Sequence, residues 1–166
     1  MFERLSPPDV RVEDLAGTWH IVRTNFPMWL RGDKRRPCLE YGILDRDRGT
    51  LSDLVTFEKG GRAKSIRGVD RQDPARSCHF TWRGRGLLKL LRSDWYVIDL
   101  DRKRGLAAIY FTKTLFTPEG LDVVSRAAIP DDGAVRACLE RVEVDPVIAP
   151  HVRDLETIDH SPRGGR

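Results

Sequence analysis

Few side chains in this sequence are placed for chemistry, and the search for them narrows quickly. The four histidines form no site: His20 and His79 fall at outward phases of strand-like stretches, and His151 and His160 lie in the C-terminal segment. No His/Asp/Glu spacing suggests a metal, no Gly-rich strand–helix junction suggests a nucleotide, and Gly84-Arg85-Gly86 is too short to count. The three cysteines, Cys38, Cys78 and Cys138, are widely spaced and contain no CxxC, so they read as free thiols, with one disulfide left open. No cofactor and no metal is therefore expected. What remains is a set of polar groups embedded in apolar-aromatic stretches: Arg23 and Asn25 near the start, Tyr110 and Asp122 further on. A guanidinium, a carboxyl and a phenol can recognise a polar group on a small molecule, or do acid–base work on it.

The elements that must position them repeat at short intervals. Strand-like stretches fall near Gly17–Asn25, Leu39–Asp45, Thr50–Phe57, Arg62–Val69, Ser77–Arg83, Asp94–Leu100, Leu106–Thr112 and Leu121–Ala127, separated by Gly, Pro and Asp. Eight strands joined in order by short connections imply an all-β fold, an eight-stranded antiparallel up-and-down β-barrel. After them Pro130-Asp131-Asp132 starts a helix whose stripe, Val135, Cys138, Leu139 and Val142, packs on the barrel's outside. One further short strand is expected near Leu155–Ile158. The barrel domain takes residues 1–160, and 161–166 form a flexible tail.

Composition excludes several function classes. At 166 residues, 40% hydrophobic and 33% charged, the chain can bury a core, and it contains no apolar run of membrane-spanning length. Met1–Leu15 carries acids and Pro7–Pro8 where a secretory signal would be apolar, so a cytoplasmic location is expected. The net charge of +4 comes from 29 basic residues interleaved with 25 acidic ones, as in Asp45-Arg46-Asp47-Arg48. That is a solvated mixed-sign surface, and no nucleic-acid module accompanies it, so nucleic acid is not an expected partner. Oligomeric state is not legible.

At Gly17-Thr18-Trp19 the sequence resembles the lipocalins, whose first strand opens with Gly-x-Trp after a short N-terminal turn. Asp99-Leu100-Asp101 falls at the sixth-to-seventh strand turn, where that family carries a Thr-Asp-Tyr signature. Arg126, in Val124-Ser125-Arg126, stands where the family ends its eighth strand on an arginine. The resemblance runs from about Leu15 to Val142. Leu100 and Arg102 replace the Thr and Tyr of the middle motif, which points to an outlying or bacterial-type member of the calycin superfamily. The resemblance implies that Trp19 plugs one end of the barrel and that Arg126 stacks on its indole.

With Trp19 inward, strand alternation turns Ile21, Arg23 and Asn25 inward too. With Arg126 beside Trp19, Val124 and Asp122 share its face, and antiparallel pairing sets Arg23 near Asp122 as an interior ion pair. Alternation and the family's usual facing add Tyr41, Phe80, Trp82, Trp95, Val97, Ala108 and Tyr110 to the wall. Three apolar clusters, Phe26–Leu30 with Trp29, Leu87–Leu91, and Leu115 with Phe116, fall in connections at one end and read as the lip of a mouth. The basic residues among them suit transient contact with an anionic membrane surface. The expected function is binding of a small hydrophobic or amphipathic molecule: a lipid, polyene or polycyclic metabolite. The alternative is a cofactor-free isomerase or cyclase in which Arg23, Asp122 and Tyr110 supply the acid–base groups.

Overall fold

Short apolar-polar alternations interrupted by turn residues have one way to bury their apolar sides without leaving a raw edge, which is to close on themselves. A computed structural model describes residues 1–162. Its strands are β1 (Gly17–Thr24), β2 (Lys34–Asp45), β3 (Thr50–Lys59), β4 (Arg62–Asp73), β5 (Arg76–Gly84), β6 (Arg92–Asp101), β7 (Leu106–Phe111) and β8 (Gly120–Ser125). Each pairs antiparallel with the next, and β1 closes the barrel by pairing with both β8 and β2. A two-residue strand, β9 (Glu156–Thr157), joins β1 at Arg23 and Thr24, beyond the point where β2 has left it. Of the expected tail, residues 163–166 lie outside the described residues. Among the described residues no helix is long and apolar enough to cross a membrane.

One end is sealed. A single helical turn, α1 (Val12–Leu15), leads into Gly17, whose φ of +100° favours glycine. A Cβ there would also stand 2.9 Å from Arg126 Nη1. That absence of bulk lets the Arg126 guanidinium lie 3.9 Å from the centre of the Trp19 ring and donate to the carbonyls of Asp14 and Thr18. Ion pairs of Arg102 with Asp14 and of Arg46 with Glu13 tie α1 to the turns around it.

The wall is not uniform. The helix α3 (Asp132–Val142) begins where the Asp131 side chain accepts from Ala134 N at 2.8 Å, and it buries Ala134, Val135, Cys138 and Val142. Arg141 on α3 donates two 2.8 Å bonds to Asp99 of β6, in the charge-assisted fork geometry. With α4 (Ala149–Arg153) and the N-terminal segment, α3 covers the outside of β6, β7 and β8. Trp95–Ile98, Leu106–Tyr110 and all of β8 are therefore buried on both faces, whereas β3 and β4 keep water on their outer side.

Two bulges decide which residues look inward. In β1 the register shifts between Ile21 and Arg23, and in β6 between Val97 and Asp99. Each bulge sets an extra residue on one strand and reverses the facing of the residues beyond it.

Candidate functional site

Paired residues in a sheet share a face, so the inward set can be traced from the register around the ring. Trp19 and Ile21 open it on β1, and Leu39 and Tyr41 continue it on β2. Leu51, Asp53, Val55 and Phe57 come next on β3; Ile66, Gly68 and Asp70 on β4; Phe80 and Trp82 on β5. Trp95, Val97, Ala107, Ile109, Asp122 and Val124 complete the circuit. Three of these positions carry carboxyl groups, Asp53, Asp70 and Asp122, exposed to only 7%, 0% and 2%.

Isolated carboxylates are expensive to bury, and the expense falls on the ionised form. Asp53 and Asp70 are buried as neighbours, and each alters the other's hold on its proton. Asp53 Oδ1 and Asp70 Oδ2 have no hydrogen-bond partner in the protein. Burial, reinforced for Asp70 by the neighbouring Asp53 charge, raises both above the usual carboxylate range. The indole Nε1 of Trp95 donates to Asp70 Oδ1 at 2.8 Å and pulls the other way. Burial also pushes Asp122 up to about 7, opposed only by the Thr24 hydroxyl, and its Oδ1 has no protein partner.

Around these carboxyls stands an aromatic stack. Trp95 lies between Phe80, at 4.5 Å and 14°, and Tyr41, at 5.8 Å and 21°. Burial raises the Tyr41 phenol well above its ordinary range, and the charges of Asp53, Asp70 and Asp122 add to the effect. This part of the interior is aromatic and acidic: burial makes its carboxyls hold their protons to higher pH than exposed ones do, and no cation stands among the inward-facing residues at this level.

The structure brings together some of the sequence-predicted residues and separates others. Ile21, Tyr41, Phe80, Trp95, Val97 and Asp122 are inside, and Trp82 is inside but half-buried. Arg23 is not. Because of the bulge in β1 it pairs with Val123, whose side chain faces α3, and its guanidinium lies 3.8 Å from Asp132 on the outside. The expected Arg23–Asp122 pair is therefore replaced by Thr24 opposite Asp122. Ala108 and Tyr110 are also outside: they pair with Asp99 and Tyr96, and Tyr110 donates to Glu119 at 2.8 Å beside the ring of His151. Asn25 is spent on structure, accepting from Leu121 N at 2.8 Å and bonding His151 Nδ1 at 3.0 Å.

At the open end, α2 (Pro27–Leu30) folds over the barrel instead of standing clear of it. Trp29 packs edge-on against Phe57 at 5.6 Å, and Phe26 against Phe111 at 5.4 Å. The other two clusters do form an exposed lip: Leu87, Leu90, Leu115 and Phe116 are 71–102% exposed. Half-buried Met28, Val55, Ile66, Trp82 and Phe111 pack against the interior cluster. A separate cleft of about 420 Å³ opens on the outside, between the N-terminal segment and the β5–β6 wall, lined by Phe2, Leu5, Cys78 and Tyr96 among others.

Sequence reasoning missed Asp53 and Asp70. The available signal was phase: Leu51, Asp53, Val55 and Phe57 alternate on one face of β3, so an acid sits where an apolar residue belongs. Asp70 reads in the sequence as a turn residue, but β4 runs on to Asp73. His20 faces outward as expected, and there it meets Cys38 and His160.

No family model matches the chain, and no curated protein matches it. Solved structures do. Lobster apocrustacyanin A1 is similar at 15% identity and a TM-score of 0.68, over 95% of this chain and 91% of that one. The siderocalin Ex-FABP is similar at 13% identity and a TM-score of 0.66, over 90% and 97%. The cockroach allergen Per a 4 is similar at 15% identity and a TM-score of 0.65, over 96% and 94%. At these identities the likeness shows the fold alone: this chain shares with them a closed eight-stranded antiparallel up-and-down barrel with a helix packed outside.

Proposed function

We propose that this barrel binds a small, largely apolar molecule and meets its one acceptor oxygen with a protonated carboxyl. The carrying observation is the set Asp53, Asp70 and Asp122, buried without cations against the stack of Tyr41, Trp95 and Phe80. A neutral carboxyl donates as well as accepts, so it can fix an otherwise apolar ligand without a buried ion. The siderocalin Ex-FABP, described as functioning through dual ligand specificities, supports the use of this fold for binding. Passage runs beneath α2, whose hold on the barrel is mainly aromatic contact. The exposed leucines, with Lys89 and Arg92 beside them, suit uptake of an amphipathic molecule from an anionic membrane surface.

The test is native mass spectrometry of the purified protein, then extraction and identification of what it carries. An apolar molecule with a carbonyl, ether or hydroxyl oxygen is expected at one per chain. Asp122→Leu, which removes the carboxyl without a protein partner at its Oδ1, should weaken its binding by about tenfold, the value of one such hydrogen bond. A barrel that arrives empty and takes up no apolar fluorescent probe overturns the proposal.

The neighbouring buried carboxyls of Asp53 and Asp70 also favour a second reading, a cofactor-free isomerase or cyclase. Two neighbouring carboxyls of raised proton affinity, with a third pushed up to about 7, can deliver and remove protons in an apolar interior. In it Asp122 keeps the acid–base role expected of it, while Asp53 and Asp70 take those expected of Arg23 and Tyr110. Turnover would carry deuterium from heavy water into a carbon of the extracted molecule, and simple binding would not.

A further inference from the structure

The outer surface where β1 meets β2 carries a second constellation, unrelated to the barrel interior. His20 and Cys38 stand directly opposite each other in the strand register, on the face away from the core. His20 Nδ1 lies 3.3 Å from Cys38 Sγ. The chain then returns after β9 and lays the His160 ring edge-on to His20, with centroids 5.1 Å apart at 79°. One ligand atom from each of the three side chains lies within 4.8 Å of the others.

We propose that His20, Cys38 and His160 hold one borderline-soft transition-metal ion of the zinc(II) class, with a solvent molecule completing a tetrahedral set. Two imidazoles and a thiolate match zinc and discriminate against magnesium and calcium, which want oxygen. The spacing fits. Zinc bonds of about 2.3 Å to sulfur and about 2.0 Å to nitrogen set S and N roughly 3.5 Å apart in a tetrahedron, close to the 3.3 Å found here.

The surroundings are those of a ligand set and not only of a polar cluster. His160 Nε2 lies 2.7 Å from the Ile21 carbonyl, to which it donates, leaving Nδ1 with a free lone pair. An imidazole tied through its far nitrogen to a backbone carbonyl is the usual support of a metal-bound histidine. His20 and Cys38 are half-buried, so solvent reaches the remaining position.

The experiment uses the full chain, reduced, stripped with chelator and titrated with cobalt(II) as a spectroscopic substitute for zinc. One equivalent should give a near-ultraviolet thiolate-to-metal charge-transfer band together with the intense visible bands of four-coordinate cobalt. Zinc should then displace it. Cys38→Ser should abolish the charge-transfer band. Removal of an outer-shell partner alone costs about 10–100-fold in metal affinity, so His20→Ala and His160→Ala should each cost at least that. Thermal melts without metal report whether each variant is folded. A readout that needs no variant is alkylation of the wild-type protein: zinc should slow modification of Cys38 and leave Cys78 unaffected. The absence of a charge-transfer band, or equal alkylation of Cys38 with and without zinc, makes the cluster a packing contact and overturns the assignment.

Discussion

Asp122→Asn tests whether the barrel interior holds protons. Burial moves this carboxyl from its ordinary 3.8 to about 7. Between about pH 4 and pH 7 the folded protein keeps a proton that the unfolded chain has released. Stability therefore falls as pH rises through that window, by about 1.4 kcal/mol per pH unit, and levels off above it. Over three decades of proton affinity the loss is about 4 kcal/mol, a large part of a typical folding free energy. Asparagine occupies nearly the same volume and stays neutral throughout. Its amide introduces a donor where Asp122 Oδ1 has no protein partner, which costs about 1–2 kcal/mol at every pH. The variant should therefore be slightly less stable than wild type near pH 4.5 and about 2–3 kcal/mol more stable near pH 8. Urea unfolding followed by tryptophan fluorescence across this range measures the difference directly. Titration of Asp53 and Asp70 is common to both proteins and drops out. A difference that stays flat with pH would refute the reasoning, because Asp122 would then be equally ionised in the folded and unfolded states.

The remaining expectations concern arginines. Arg126→Ala removes the contact with Trp19 and the bonds to Asp14 O and Thr18 O; it should cost about 2 kcal/mol and lower the thermal midpoint by about 4–8 °C. Calorimetry checks it, and Arg126→Lys should recover only part, since an ammonium cannot both stack flat and reach two carbonyls. Arg23→Ala should change stability by no more than about 0.5 kcal/mol and leave ligand retention intact, because its partner Asp132 lies in solvent outside the barrel. Loss of ligand in that variant would return Arg23 to the interior.

The barrel, its strand order and its sealed end were legible because alternation, turn residues and the Gly17–Trp19 and Arg126 positions all point the same way. Facing was legible only where one side of a strand is wet. In β3, polar and apolar residues alternate, and the phase is plain. In β7 the run Leu106-Ala-Ala-Ile-Tyr-Phe111 is apolar at every position, because α3 and the N-terminal segment bury its outer face. No phase can be read from such a run, and alternation puts Ala108 and Tyr110 on the wrong side for that reason. Arg23 was lost to a bulge, which shifts register without any compositional mark. The meeting of His20, Cys38 and His160 depends on where the chain returns after α4, which local patterning does not encode.

The bulge in β1 also gives the barrel a spare residue. Val22 and Arg23 together stand opposite Val123, while Ile21 on one side and Thr24 on the other keep their inward partners Val124 and Asp122. Shortening the strand by either of the two would leave a regular ladder with the same side chains inside. Chain length can therefore drift by one residue here over evolutionary time, the change being absorbed outside against α3. Alignment of this strand with those of other barrels should accordingly be anchored at Trp19 and at Thr24 separately, with the gap allowed to fall between them.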